Sequence, residues 1–330
     1  MNAELPTWPT HSFRAMGSQI TLWLETNADS ATGAFAQAEA LFAANERTLS
    51  RFDPASELSA LNRHGGEWFA VSPLLWDVVN QALELTARTG GLFDPTLLNA
   101  LEAAGYTHSF ALMQAAGDQG GQTAPHKLPL QHNAWAAIEL DPNRPAIKLP
   151  KGVRLDLGGI GKGYTAQQAV RLLGQWGPCL VDAGGDVAAG AAPQGLPGWP
   201  VAVAAPSAED HVEPDADNQA ADDLLQLWLA EATLATSGVD YRRWRQGGRW
   251  RHHLIDPRTG EPAETDLLTV SVLHKNAACA EAWAKAALLL GAQAGFNRLD
   301  QQDMAAVLAL ADGRVWLTPA MATAMAALCE

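Results

Sequence analysis

The residues best suited to chemistry sit in a short glycine-rich run, Leu155 to Tyr164, with the sequence LDLGGIGKGY. Asp156 lies between two leucines, four glycines (Gly158, Gly159, Gly161 and Gly163) follow within six positions, and Lys162 falls among them. A glycine turn that opens a helix lets backbone N–H groups close on a phosphate, and the helix N-terminus favours its negative charge. A lysine there adds a mobile cation. Neither familiar phosphate loop is matched. Walker A requires Ser or Thr after Gly-Lys, where Gly163 stands, and a GxGxxG begun at Gly159 would place its third glycine at Tyr164. A tight turn ahead of a helix accounts for the run equally well. A second reactive group is His253, in HHLIDPRTG, just before an apolar pair and a proline–glycine turn. Histidine titrates near neutrality, which suits a base that takes a hydroxyl proton in phosphoryl transfer. A purely structural histidine is the alternative, and His252 is its neighbour.

These groups must be positioned by elements whose patterns can be read in order. Ile20 to Glu25 alternates as a strand entered through Ala15-Met16-Gly17-Ser18, and Ala31 to Thr48 has a helical face of Phe35, Ala38, Leu41, Phe42 and Asn45. Ser50 to Asn62 is turn-rich and then helical. Ser72 and Pro73 make an N-cap and first-turn proline for a helix carrying Leu75, Val78, Val79 and Ala82, ended by Gly90-Gly91. Phe93-Asp94-Pro95-Thr96 follows as a turn in which Asp94 can bond its own backbone. Ala115 to Lys127 reads as a surface loop. A helix runs from Thr165 to Trp176 and stops at Gly177-Pro178. Strands are expected at Cys179–Asp182, Trp199–Ala204, Leu224–Leu229, Ala232–Thr236 and Leu267–Leu273, a helix at about Ala277–Leu290, and a terminal hairpin around Asp312-Gly313. Ser207 to Asp223 is acidic and poor in apolar residues, and reads as a solvated insertion. Strands and helices intermix without regular βαβ alternation, so the fold class is α+β.

Composition sets further bounds. A chain of 330 residues with 48% hydrophobic content can build a sizeable core. Its net charge of −14 argues against a general nucleic-acid binder and means that any phosphate site must be local. Cys179, Cys279 and Cys329 form neither a disulfide framework nor a zinc pattern. No secretory signal or membrane-length apolar run is visible, so a cytoplasmic location is expected unless a leader has been removed.

Five stretches in order, HSFRAMGS, GGLFDPT, LDLGGIGKGY, ATSGVDYRRW and HHLIDPRTG, make the chain similar to the ApbE-like family of FAD:protein FMN transferases from about His11 to Thr318. The resemblance implies a single domain over residues 1–330, with a core of 11–318 and the acidic insertion at 207–223. Its fold would be α+β, with largely antiparallel sheets and helices around a flavin cleft. It implies cleavage of the FAD pyrophosphate, attachment of FMN by a phosphoester to a threonine of a partner flavoprotein, and release of AMP. Hydrolysis of FAD to FMN and AMP, or flavin binding without turnover, are the rival readings.

The resemblance also assigns residues. His253 matches the histidine of the family's H-x-I-D-P segment and is the candidate base, with Leu254 beside it. Met16, Phe52, Leu92, Phe93, Asp94, Asp156, Lys162, Ser237 and Leu254 match positions that contact FAD. Phe52 stands where relatives often have Tyr. Gly159, Glu281 and Ala284 match positions around a magnesium ion. There the family reads A-D-A-L-A-T-A, and its Asp and Thr help hold the metal; this chain reads Ala280-Glu281-Ala282-Trp283-Ala284-Lys285-Ala286. A protonated lysine cannot ligate magnesium. Two expectations follow for Lys285: that it supplies positive charge where relatives place the ion, or that it pairs with Glu281 along the helix.

Overall fold

A computed structural model describes residues 6–115, 132–206, 223–246 and 248–326. The expected loop at Ala115–Lys127 and the acidic insertion therefore lie almost wholly outside the described residues. The frame is an eight-stranded sheet of Thr10–Ala15, Ser18–Leu24, Cys179–Ala183, Val187–Ala189, Thr233–Gly238, Leu267–His274, Ala305–Leu310 and Val315–Leu317. Every neighbouring pair is antiparallel, and neighbours in the sheet follow one another in chain order.

Side chains alternate across this sheet with period two. Ile20, Leu22, Leu24, Cys179, Val181 and Ala183 pack with Phe35, Phe42 and Ala169 of the helices Ala28–Leu49 and Gly161–Leu173. Leu180, Val187 and Leu234 face the other way, onto Trp199, Val201, Leu227 and Leu229 of a hairpin formed by Trp199–Ala204 and Asp223–Leu229. Three layers result: helices, sheet, hairpin.

The helix Ala277–Leu290 lies against the sheet's later strands, with all its residues buried except Lys285 and Leu290. Its alanines let it approach both Thr233–Gly238 and the helix Pro73–Arg88. Two of the helices around the site have side-chain caps at their starts. Ser72 Oγ accepts from the Leu75 amide at 3.2 Å, and Asn276 Oδ1 accepts from the Cys279 amide at 2.8 Å, each such cap contributing about 1 kcal/mol.

The expected strand at residues 20–25 begins two residues earlier and has an unforeseen partner, Thr10–Ala15. Met16 and Gly17, with φ of 52° and 69°, form the two-residue turn between them. The Leu224–Leu229 strand begins at Asp223, so that residue belongs to the hairpin. A three-stranded sheet of Trp68–Ala70, Ala146–Lys148 and Glu139–Asp141 and a hairpin of Arg243–Gln246 with Arg249–His252 complete the strands.

Candidate active site

One pocket is lined by Phe93, Asp94, Pro95, Leu97, Leu101, Asp156, Gly159, His253, Ile255 and Lys285. Its walls come from three well-separated parts of the chain, and local geometry fixes each.

The first wall is the turn after the Pro73–Arg88 helix. Gly90 and Gly91 end that helix with φ of 67° and 82°, and the Phe93 amide donates to Thr89 Oγ1 at 3.1 Å. Asp94 Oδ1 accepts from the Thr96 amide at 2.8 Å and from its hydroxyl at 2.6 Å. Burial pushes the Asp94 carboxyl above its ordinary pKa, and the Thr96 bonds and the charge of Lys285 pull against that.

The second wall is the glycine run, joined to the first where the Asp156 amide donates to the Pro95 carbonyl at 2.8 Å. Asp156 is ion-paired with Arg51 and accepts from the Gly158 amide at 2.7 Å. Arg51 in turn lies 4.0 Å from the centroid of Phe52 and 4.7 Å from that of Tyr106, and donates to the Tyr106 carbonyl at 3.0 Å. Gly159 is a glycine for a reason of space: a Cβ there would stand 3.3 Å from Phe93 Cε2.

The third wall carries His253 and Lys285. His253 follows the Arg249–His252 strand, and the segment after it is tied down by Arg258, which donates to Asp256 Oδ2 at 2.6 Å and to the Leu289 carbonyl at 2.7 Å. That second bond joins the histidine segment to the helix bearing Lys285. The two histidines differ in what they do. His252 Nε2 is 2.9 Å from the Ala263 carbonyl and its Nδ1 accepts from the Leu254 amide, so both ring nitrogens are committed to the fold. His253 Nδ1 is buried with no hydrogen-bond partner among the described residues. Burial first, then the charges of Arg242, His252 and Lys285, hold the His253 pKa well below the ordinary value.

Lys285 turns toward the pocket and away from its helix neighbour. Its ammonium lies 5.8 Å from the Phe93 ring centroid. Burial lowers its pKa, and Asp156 and Asp94 work to raise it. Glu281 makes no ion pair with it among the described residues. Instead Glu281 Oε1 accepts from the Gly163 amide at 2.6 Å, at the open N-terminus of the Gly161–Leu173 helix. Burial, with Asp186 adding to it, pushes the Glu281 carboxyl up to about 8.

Lys162 is not a solvated helix charge. It is ion-paired with Asp186, whose other oxygen accepts from the Thr236 amide at 3.2 Å. Burial acts to lower the Lys162 pKa, but the carboxylates of Asp186 and Glu281 outweigh it and the net shift is upward.

Six of the expected residues therefore share the pocket: Phe93, Asp94, Asp156, Gly159, His253 and Lys285. Met16 lies over the start of the Gly161–Leu173 helix, with its Cε 3.5 Å from where a Cβ on Gly161 would be. Phe52 is exposed beside Arg51, Leu92 and Leu254 are core residues, Ser237 sits near the end of its strand, and Lys162 lies behind the glycine run. Arg51, Tyr106, Asp186 and Arg242 went unforeseen. Asp186 had a signal, a carboxylate directly after Gly184-Gly185 at a strand end; Arg51 had none beyond its turn-rich surroundings.

The groups expected around a magnesium ion have other surroundings. Glu281 is occupied with the Gly163 N–H beside the Lys162 ammonium, Ala284 is buried within its helix beside Lys285, and Gly159 lines the pocket next to Phe93. Among the described residues no three His, Cys, Asp or Glu side chains cluster as a metal site. Magnesium demands near-octahedral oxygen ligands, and this donor set does not fit it.

The pocket is thus walled by a glycine turn, acidic and cationic side chains, and a histidine whose Nδ1 has no hydrogen-bond partner among the described residues. The ApbE family's sequence profile matches residues 16–308, and the chain belongs to that family. It is 26% identical over 286 residues to the FAD:protein FMN transferase of Salmonella typhimurium, covering 84% of this chain and 75% of that one. With the enzyme of the same name from Chlamydia trachomatis it shares 30% identity over 262 residues, 73% of this chain and 71% of the other. The crystal structure of the ApbE protein of Thermotoga maritima superposes with a TM-score of 0.82 at 21% identity, covering 97% of this chain and 99% of that one. The apo flavinyl transferase ApbE of Pseudomonas stutzeri gives 0.78 at 20% identity, covering 97% of each.

Proposed function

We propose that this protein is an FAD:protein FMN transferase. The observation that carries the reading is the convergence of His253, Lys285, Asp94, Asp156 and Gly159 on one pocket. The acceptor's threonine oxygen attacks the phosphorus of the FMN half of FAD, the bridging P–O bond breaks, and AMP leaves. His253 takes the hydroxyl proton at Nδ1. Its neutral ring is ready for that proton, and the arriving pyrophosphate raises its basicity by bringing negative charge beside it.

Lys285 supplies the positive charge that the pyrophosphate needs, in a site where little water screens it. Asp156, braced by Arg51, holds the glycine turn and Lys285 in register. Asp94, its Oδ1 held by the Thr96 amide and hydroxyl, lines the pocket as a hydrogen-bond acceptor for the bound flavin. Lys162 and Glu281 act one layer behind, fixing the start of the Gly161–Leu173 helix.

The test is to incubate the purified protein with FAD, with and without a threonine-bearing acceptor domain. Covalent flavin on the acceptor with stoichiometric AMP is expected. Free FMN and AMP in equal amounts, with no acceptor adduct, would make the protein a hydrolase, and unchanged bound FAD would make it a binding protein.

A further inference from the structure

We propose that the Arg243–His252 hairpin is a docking surface for an acidic segment of the acceptor protein; this rests on the transferase reading. In an acidic chain, residues 242–251 read RRWRQGGRWR, a local block of arginine and tryptophan. The pairing register decides what each face presents. Arg243 lies opposite His252 and Arg245 opposite Trp250, while Trp244 lies opposite Arg251.

The Trp244 face is spoken for. Trp244 stacks on Tyr106 with ring centroids 5.3 Å apart, its Nε1 donates to the Ala104 carbonyl at 2.9 Å, and Gln246 Nε2 donates to the Ala103 carbonyl at 3.3 Å. The hairpin is thus fastened to Tyr106, which also touches Arg51 and His253.

The other face carries Trp250 flanked by the guanidinium groups of Arg243 and Arg245, 5.0 and 4.8 Å from its ring centroid. Among the described residues neither arginine has a carboxylate partner, and Arg245 is exposed. An indole with two guanidinium groups against it holds two planar donor forks in place, which lowers the entropy lost when carboxylates bind them. Two residues, Arg251 and His252, lie between Trp250 and His253, a span of at most roughly 10 Å along the chain. A segment seated here would hold a nearby hydroxyl within a few residues of the base.

The probes are two synthetic peptides, one with a single threonine flanked by Asp and Glu, the other with Asn and Gln in their place. Binding to the full-length, FAD-loaded protein is read by fluorescence anisotropy at low and high ionic strength. The acidic peptide should bind roughly tenfold tighter, as two exposed ion pairs allow, and lose that advantage in high salt. The double variant Arg243→Gln, Arg245→Gln should erase the difference while titrating FAD as wild type does. Equal binding of both peptides, or an undiminished preference in the double variant, would overturn the proposal. So would a preference that emerges only after residues 207–222 are removed, because the chain's own acidic segment would then be the occupant. Loss of the transferase reading shows separately, as absence of AMP and of flavin adduct while the peptide preference persists.

Discussion

His253 keeps a neutral ring because of where it stands: it is shielded, and it has Arg242 and Lys285 for neighbours. An essential base loses activity as pH falls through its pKa, so the acid limb of kcat/KM should lie well below the ordinary histidine range. The limb of kcat should lie higher, because bound pyrophosphate restores basicity. A kcat/KM limb at or above the ordinary value would remove His253 as the base, as would a His253→Gln variant with wild-type transfer. Lys285 carries a second prediction. Its substitution by alanine should cost on the order of a hundredfold or more in transfer, the scale of a lost charge-stabilising donor, while FAD binding and transfer in the wild type withstand EDTA. Wild-type activity abolished by EDTA and restored by magnesium, with Lys285→Ala fully active, would refute it. At this scale the sequence was most legible where chemistry and motif coincided, at Asp94, Asp156 and His253, which line one pocket. It was least legible for partners such as Arg51, whose role depends on contacts far along the chain.

At the scale of elements, the meeting of two helices behind the pocket has a specific geometry. Gly163 lets Glu281 reach the backbone of the Gly161–Leu173 helix; a Cβ there would collide with the Glu281 carboxylate. Gly163→Ala should therefore lower stability by about 2 kcal/mol, the usual cost of overpacking a buried contact, as read by denaturant midpoint. Adding Glu281→Ala should return part of the space but not the lost helix-end hydrogen bond. An alanine variant as stable as wild type would mean that Glu281 does not hold this position. The Ala277–Leu290 helix was readable to its ends, because Asn276 caps it and Gly291 turns the chain with φ of 80°. The Thr10–Ala15 strand was not. It is an edge strand with most positions exposed or half-buried, so its apolar alternation is faint. The Arg243–His252 hairpin hid for a related reason, since both strands are dominated by charge and tryptophan.

For the whole molecule, Trp199–Ala204 and Asp223–Leu229 pair directly, with Ala204 opposite Asp223. The strands on either side of residues 207–222 are thus paired with each other. Replacing residues 207–222 by a short turn should leave FAD transfer intact and change stability by about 1 kcal/mol in the favourable direction, the closure entropy of a shorter loop. Thermal unfolding and the flavin transfer assay check this; loss of both would make the segment part of the fold. Fold class was legible because strands and helices alternate in pattern without βαβ regularity. The sheet's order was not, because strand neighbours such as Leu24 and Cys179 are brought together only by the folded helices between them.

The order of the main sheet also bears on how the protein is made. Because each strand pairs with the one before it, a chain leaving the ribosome extends the sheet in one direction, and its newest strand is the open edge. The walls at Asp94 and Asp156 emerge first, while His253 and Lys285 come late in synthesis. A nascent chain can thus assemble much of its frame and still lack His253 and Lys285, so the pocket is not complete until the Ala277–Leu290 helix is out. The last edge, Val315–Leu317, is only three residues long, so at that side the finished sheet offers little free strand on which another nascent chain could pair, and the longer edge is the first-made one, Thr10–Ala15.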